Sequence, residues 1–144
     1  MLLPLETHTN FKVQFTVCGE PVPKGRARFT KQGFSYTPSH TRKYENLVRL
    51  AAQDAMDGRI PIATACEIEV YAYMPIPQSW SQKKKQLALQ DAIRPITKPD
   101  GDNFLKSASD ACNGVVFVDD NLITDWIIHK RYSDRPRLEI EVRA

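Results

Sequence analysis

The segment Lys98-Pro-Asp-Gly-Asp-Asn-Phe-Leu-Lys106 sets two carboxylates, Asp100 and Asp102, two residues apart, with an ammonium one helical turn further on. Pro99 biases the residue before it toward extended backbone, and in an extended stretch residues two apart face the same way. Asp100 and Asp102 are therefore expected to point together. Asp102 is also expected to start a helix, where its carboxylate can meet free backbone N–H groups. Two adjacent carboxylates repel unless something positive holds them. Asp119 and Asp120 add two more at the end of the apolar run 115–118. If that pair is extended, only one of them can join the cluster. Three or four carboxylate oxygens with no His or Cys partner suit a hard cation, Mg²⁺ or Mn²⁺ rather than zinc. Lys106 can pair with Asp102 or Asp110, each four residues away, or neutralise a bound phosphate, and these roles can coexist.

Competing chemistries lack their residues. A calcium loop beginning at Asp100 needs an oxygen ligand at position 104 and a Glu at 111, where the chain has Phe104 and Ala111. There is no GxSxG or HExxH, and the stretch 19–25 lacks the GK[ST] of a phosphate loop. His8, His40 and His129 are scattered and read as surface or loop residues. Cys18, Cys66 and Cys112 are odd in number and widely spaced, which argues against zinc or redox pairs and predicts buried free thiols.

The net charge of +3 says little, but its distribution says more. Between Lys24 and Lys43 lie six cations (Lys24, Arg26, Arg28, Lys31, Arg42, Lys43) and no carboxylate, with Phe29, Phe34 and Tyr36 interleaved. Cations among aromatics suit a polyanion whose bases or sugars can stack. Lys24, Arg26 and Arg28 are the first candidates for phosphate contacts, and Lys31, Arg42 and Lys43 the second. A basic surface beside metal-binding carboxylates points to phosphodiester hydrolysis, in which the metal activates a water and stabilises the developing charge.

These groups need a scaffold, and 144 residues make one domain, with residues 1–10 as an N-terminal extension. The 42% apolar and 26% charged content excludes collagen, coiled coil, a disordered tail and a disulfide scaffold. No run approaches the ~18 apolar residues of a membrane span. The apolar start, Met1 to Leu5, is too short and uncharged for a signal peptide, so a cytoplasmic protein is expected. Residues 11–17 alternate as a half-buried strand, and residues 24–36 form a loop or irregular hairpin. A helix follows, capped by Thr37 with Pro38 in its first position. Tyr44, Leu47, Val48, Ala51, Ala52 and Ala55 share its apolar face, and Gly58 ends it. A strand is centred on 68–72, and a short helix with a solvated lysine run spans 81–92. Residues 102–112 form an amphipathic helix that buries Phe104, Leu105, Ala108, Ala111 and Cys112 and presents Asp102, Lys106 and Asp110 on the opposite face. Strands close the chain over 122–130 and 138–142. The pattern predicts an α/β fold of α+β-like character: a small mixed, mostly antiparallel sheet with helices packed on one side.

KPDGDNFLK at 98–106, followed by Asp110, Asn113-Gly114 and Asp119-Asp120, resembles the signature of RusA-type Holliday-junction resolvases. PVPKGRARF at 21–29 and YTPSHTRKYE at 36–45 are similar to the Gram-positive and phage branch of that family, and the likeness runs from about Phe11 to Val142. Gly101 stands where relatives often carry an apolar residue. The resemblance implies a small α/β fold, a homodimer, and Mg²⁺- or Mn²⁺-dependent paired nicking of four-way DNA junctions in late recombination or repair, often from phage or prophage genes. It implies catalytic roles for Asp100, Asp102, Lys106 and Asp120, with Asp119 as the alternative metal ligand of its pair. Two other functions stay open: a non-catalytic branched-DNA-binding protein, and a metal nuclease acting on flaps or single strands.

Overall fold

The computed structural model describes residues 10–25, 28–36 and 38–144. Along the chain come β1 (Lys12–Cys18), β2 (Arg28–Phe29), β3 (Ser35–Tyr36), α1 (Ser39–Met56), β4 (Cys66–Pro75), α2 (Gln82–Leu89) and α3 (Gly101–Cys112). A 3-10 turn (Asp120–Leu122), β5 (Ile123–Ser133) and β6 (Arg137–Arg143) complete it.

The alternating strands bury every second side chain: Val13, Phe15 and Val17 on β1, Ile68, Val70 and Ala72 on β4, and Leu138, Ile140 and Val142 on β6. They lie in the sheet order β1-β6-β4-β5, antiparallel except for the parallel pair β4–β5. The sheet is thus mixed and mostly antiparallel. Parallel neighbours need a crossover connection, and here it carries α2 and α3. The buried side chains of α1 and α3, including Val48, Ala52, Phe104 and Ala108, join those of the sheet and Phe117 in one core. Burying Phe104 or Phe117 completely stabilises the fold by about 1.5–3 kcal/mol each. The opposite face of the sheet is polar. There Arg143 bridges Glu67, Glu69 and Glu141, and His129 Nε2 lies 2.8 Å from Glu69 and stacks on Tyr71. None of the helices among the described residues is long and apolar enough to cross a membrane.

Three local expectations need correction. Leu47 is exposed, because the buried stripe of α1 is the narrower set Thr41, Tyr44, Val48, Ala52 and Met56. Leu47 lies about 100° round the helix from Val48. Pro38 occupies the N-cap rather than the first helical position, and Thr37 lies outside the described residues. Cys18 is exposed, while Cys66 and Cys112 are buried free thiols. With Val13, Phe15 and Val17 turned inward, alternation sends Cys18 outward. Burial pushes the Cys112 thiol up to about 12.

Candidate active site

Helix α3 begins at Gly101, one residue before the expected start. Asp100 is its extended N-cap (φ −69°, ψ 145°) but makes no side-chain capping bond, and Asp102 lies in the first turn. The two aspartates therefore do not share one extended stretch. They flank the helix start, where its dipole favours negative charge. Gly101 permits this placement, since a Cβ there would come within 3.2 Å of Ile128 Cγ1 on β5.

Lys106 takes Asp110, not Asp102, as its partner: Nζ is 2.8 Å from Asp110 Oδ1 and 3.8 Å from Asp120 Oδ2. The Asp110 carboxylate raises the Lys106 pKa above the ordinary lysine value, with partial burial opposing and Asp120 adding to the rise. The other oxygen of Asp110 is 3.1 Å from Lys24 Nζ, which also donates to Glu45 Oε1 at 2.6 Å. Burial pulls the Lys24 pKa down, but Glu45 and Asp110 outweigh it and leave the value raised. The backbone fixes the same segment, because Lys24 N donates to Asn103 O at 3.0 Å. Next to it, Gly25 sits so close to α1 that a Cβ would fall 2.6 Å from Thr41 Oγ1.

The neighbouring pair divides its work. Asp119 accepts a hydrogen bond from Asn121 N at 3.1 Å and so caps the 3-10 turn, while Asp120 faces Lys106. Among the described residues, the ion pairs of the site run through Glu45, Lys24, Asp110, Lys106 and Asp120 and leave Asp100 and Asp102 out. Among the described residues no three of His, Cys, Asp or Glu are grouped closely enough to hold a metal ion. Asp100, Asp102 and Asp120 are thus not drawn into a closed cage. Two carboxylates outside the ion pairs of the described residues still match the chemistry of Mg²⁺, which takes one or two carboxylates and fills its remaining positions with water and phosphate oxygens.

The basic candidates fall into three groups. Lys24 is held inside the site. Arg28 and Lys31 are exposed on the β2–β3 ribbon, beside Phe29 and Phe34 at 71% and 72% exposure, and Arg42 and Lys43 are exposed on α1. Arg26 lies outside the described residues. Glu45, and the bridging part played by Asp110, were missed from the sequence. The available signal was the place of Glu45 on the flank of the buried stripe, one residue after Tyr44.

Fold and site together define a small α/β protein with an acidic, lysine-containing site on a core helix and a separate exposed ribbon that carries cations and aromatics. Residues 19–143 match the family described as Endodeoxyribonuclease RusA, and the chain belongs to that family. It is also 36% identical over 135 residues to the uncharacterized protein YqaN of Bacillus subtilis (strain 168), covering 91% of this chain and 95% of that protein. Family membership implies a nuclease role on DNA.

Proposed function

We propose that the chain resolves four-way DNA junctions by paired, symmetric, Mg²⁺-dependent nicks, with Mn²⁺ able to substitute. The observation that carries this reading is Lys106, held 2.8 Å from Asp110 and 3.8 Å from Asp120 on the helix that starts between Asp100 and Asp102. Asp100, Asp102 and Asp120 would hold the divalent ion, with Asp119 as the alternative in its pair. The bound ion supplies Lewis acidity and a water of lowered pKa. The Lys106 ammonium has three donors and is 55% exposed, so pairing with Asp110 leaves N–H groups for a non-bridging phosphate oxygen. There it stabilises charge that grows in the transition state. Arg28 and Lys31 on the ribbon, Arg42 and Lys43 on α1, and Arg26 contact the phosphate backbone. A two-fold homodimer matches the approximate two-fold symmetry of a junction and sets two sites for two cuts. The setting is recombination and repair in a bacterial cytoplasm, with a phage or prophage gene as the source.

Cleavage of a synthetic four-way junction with Mg²⁺, beside linear duplex and flap controls, tests the reading in wild type and Asp102→Asn. Paired symmetric nicks by wild type alone are expected, with junction binding kept in the variant. Binding without cutting in either metal would leave a branched-DNA-binding protein, and preference for flaps would leave a nuclease of another specificity.

A further inference from the structure

Lys24 heads the basic segment, yet its ammonium is committed elsewhere. It lies 2.6 Å from Glu45 and 3.1 Å from Asp110, and its side chain is only 27% exposed. Asp110 spends one oxygen on Lys24 and the other on Lys106. The result is an unbroken alternation of charge, Glu45–Lys24–Asp110–Lys106–Asp120, drawn from the 21–25 segment, α1, α3 and the 3-10 turn. Lys106 is the member most open to solvent, and its orientation depends on which way the Asp110 carboxylate is turned.

We infer that Glu45 and Lys24 are positioning residues, which brace one oxygen of the Asp110 carboxylate so that the other aims the Lys106 ammonium at the reacting phosphate. The inference rests on the nuclease reading above. Moving Lys24 onto a DNA phosphate would strip the partly buried Glu45 carboxylate of its cation and leave Asp110 with Lys106 alone, and a partly buried carboxylate is costly to leave unpaired. Keeping Lys24 in place costs nothing of the kind, because its own backbone N–H is anchored to Asn103 O in the first turn of α3. The brace therefore ties α1 to the catalytic helix through one side chain. Small displacements matter at such a position, since misplacing a reacting group by about 1 Å can slow a reaction 100-fold.

The test compares wild type, Glu45→Gln, Lys24→Gln and Lys24→Arg by three measurements. These are the single-turnover cleavage rate at saturating protein, the junction Kd against salt with Ca²⁺ in place of Mg²⁺, and the ¹H–¹⁵N spectrum of the lysine ammonium groups in metal-free protein. Glu45→Gln and Lys24→Gln are expected to cut roughly 10- to 100-fold more slowly, with Kd and salt slope unchanged and, in Lys24→Gln, a lowered Tm. The Lys106 ammonium signal should move toward that of a solvated lysine. Lys24→Arg, whose guanidinium can span both carboxylates, should restore most of the rate. A salt slope lowered by about one in Lys24→Gln, with the saturated rate intact, would make Lys24 a phosphate contact and overturn the brace. An unmoved Lys106 signal in both Gln variants would overturn it whatever the activity. Failure of wild type to cut any junction would instead refute the resolvase reading, and the spectrum would still judge the brace.

Discussion

The Lys106 ammonium sits 2.8 Å from the Asp110 carboxylate, one helical turn along α3, and this pairing keeps it on the side of Asp120 rather than Asp102. A lysine held in this way can meet a phosphate without first being recruited from solvent. Lys106→Met should therefore lower the junction cleavage rate by roughly 10²–10³-fold, the scale of losing one charge-stabilising donor. Anisotropy measurements should find junction affinity little changed. An equal loss of affinity and rate would show that Lys106 only binds DNA.

The two adjacent aspartates should separate cleanly. Asp119→Ala removes the cap of the 3-10 turn and should lower stability by about 0.5–2 kcal/mol in denaturant titration, whereas Asp119→Asn keeps an accepting oxygen and should not. Asp120→Asn leaves that cap in place and removes the carboxylate facing Lys106. It should lose cleavage by at least roughly 100-fold with little change in stability. The opposite pattern would move the metal-ligand role to Asp119.

Gly25 is fixed by space. A Cβ at that position would meet Thr41 Oγ1 at 2.6 Å, so Gly25→Ala must push the Lys24 segment away from α1 or force Thr41 to turn. Overpacking of this kind costs about 1–3 kcal/mol, and cleavage should fall with it as Lys24 leaves Glu45 and Asp110. Adding Thr41→Ala removes the clashing atom and should recover both properties. A double-mutant cycle without coupling would contradict the geometry.

Acid stability should depend on the polar face of the sheet. The hydrogen bond from His129 lowers the Glu69 pKa, against partial burial, and Arg143 lowers it further. A carboxylate whose folded pKa lies below its unfolded value, about 4.3, contributes stability that is complete above that unfolded value. The contribution disappears as pH falls through the folded pKa. Glu69→Gln should therefore flatten the acid limb of Tm against pH below about 4.3 while lowering Tm near neutrality. An acid limb as steep as that of wild type would assign the slope to other carboxylates.

Much of this architecture is legible in the linear chain. The alternation in β1 and β6 and the apolar face of α3 each repeat one residue class at one period, so a short window reveals them. Asp100, Asp102 and Lys106 are legible as a candidate set because they share one short motif, and the structure ties Lys106 to Asp110 and Asp120 while the ion pairs of the described residues leave Asp100 and Asp102 out. Glu45 does not show. Its partners Lys24 and Asp110 lie on other segments, and no local period links them. The run 24–43 holds no acid and so presents Lys24 as a DNA contact, and its partner Glu45 follows two residues beyond that run. The choice between Asp102 and Asp110 for Lys106 was open for the same reason. Both sit one turn away, and only the position of the 3-10 turn and of Lys24 distinguishes them.

The parallel pairing of β4 with β5 bears on how the molecule acquires its site. α3 and the 3-10 turn lie within the crossover between those strands, so the chain that carries Asp100 to Asp120 must run from the end of β4 back to the start of β5. Loop closure over such a span delays pairing. β6 is made last and inserts between β1 and β4, sealing the sheet. The segment that carries Asp100 to Asp120 is thus also the connection on which the parallel pairing of the sheet depends, so shortening it would strain β5 and the proposed site together.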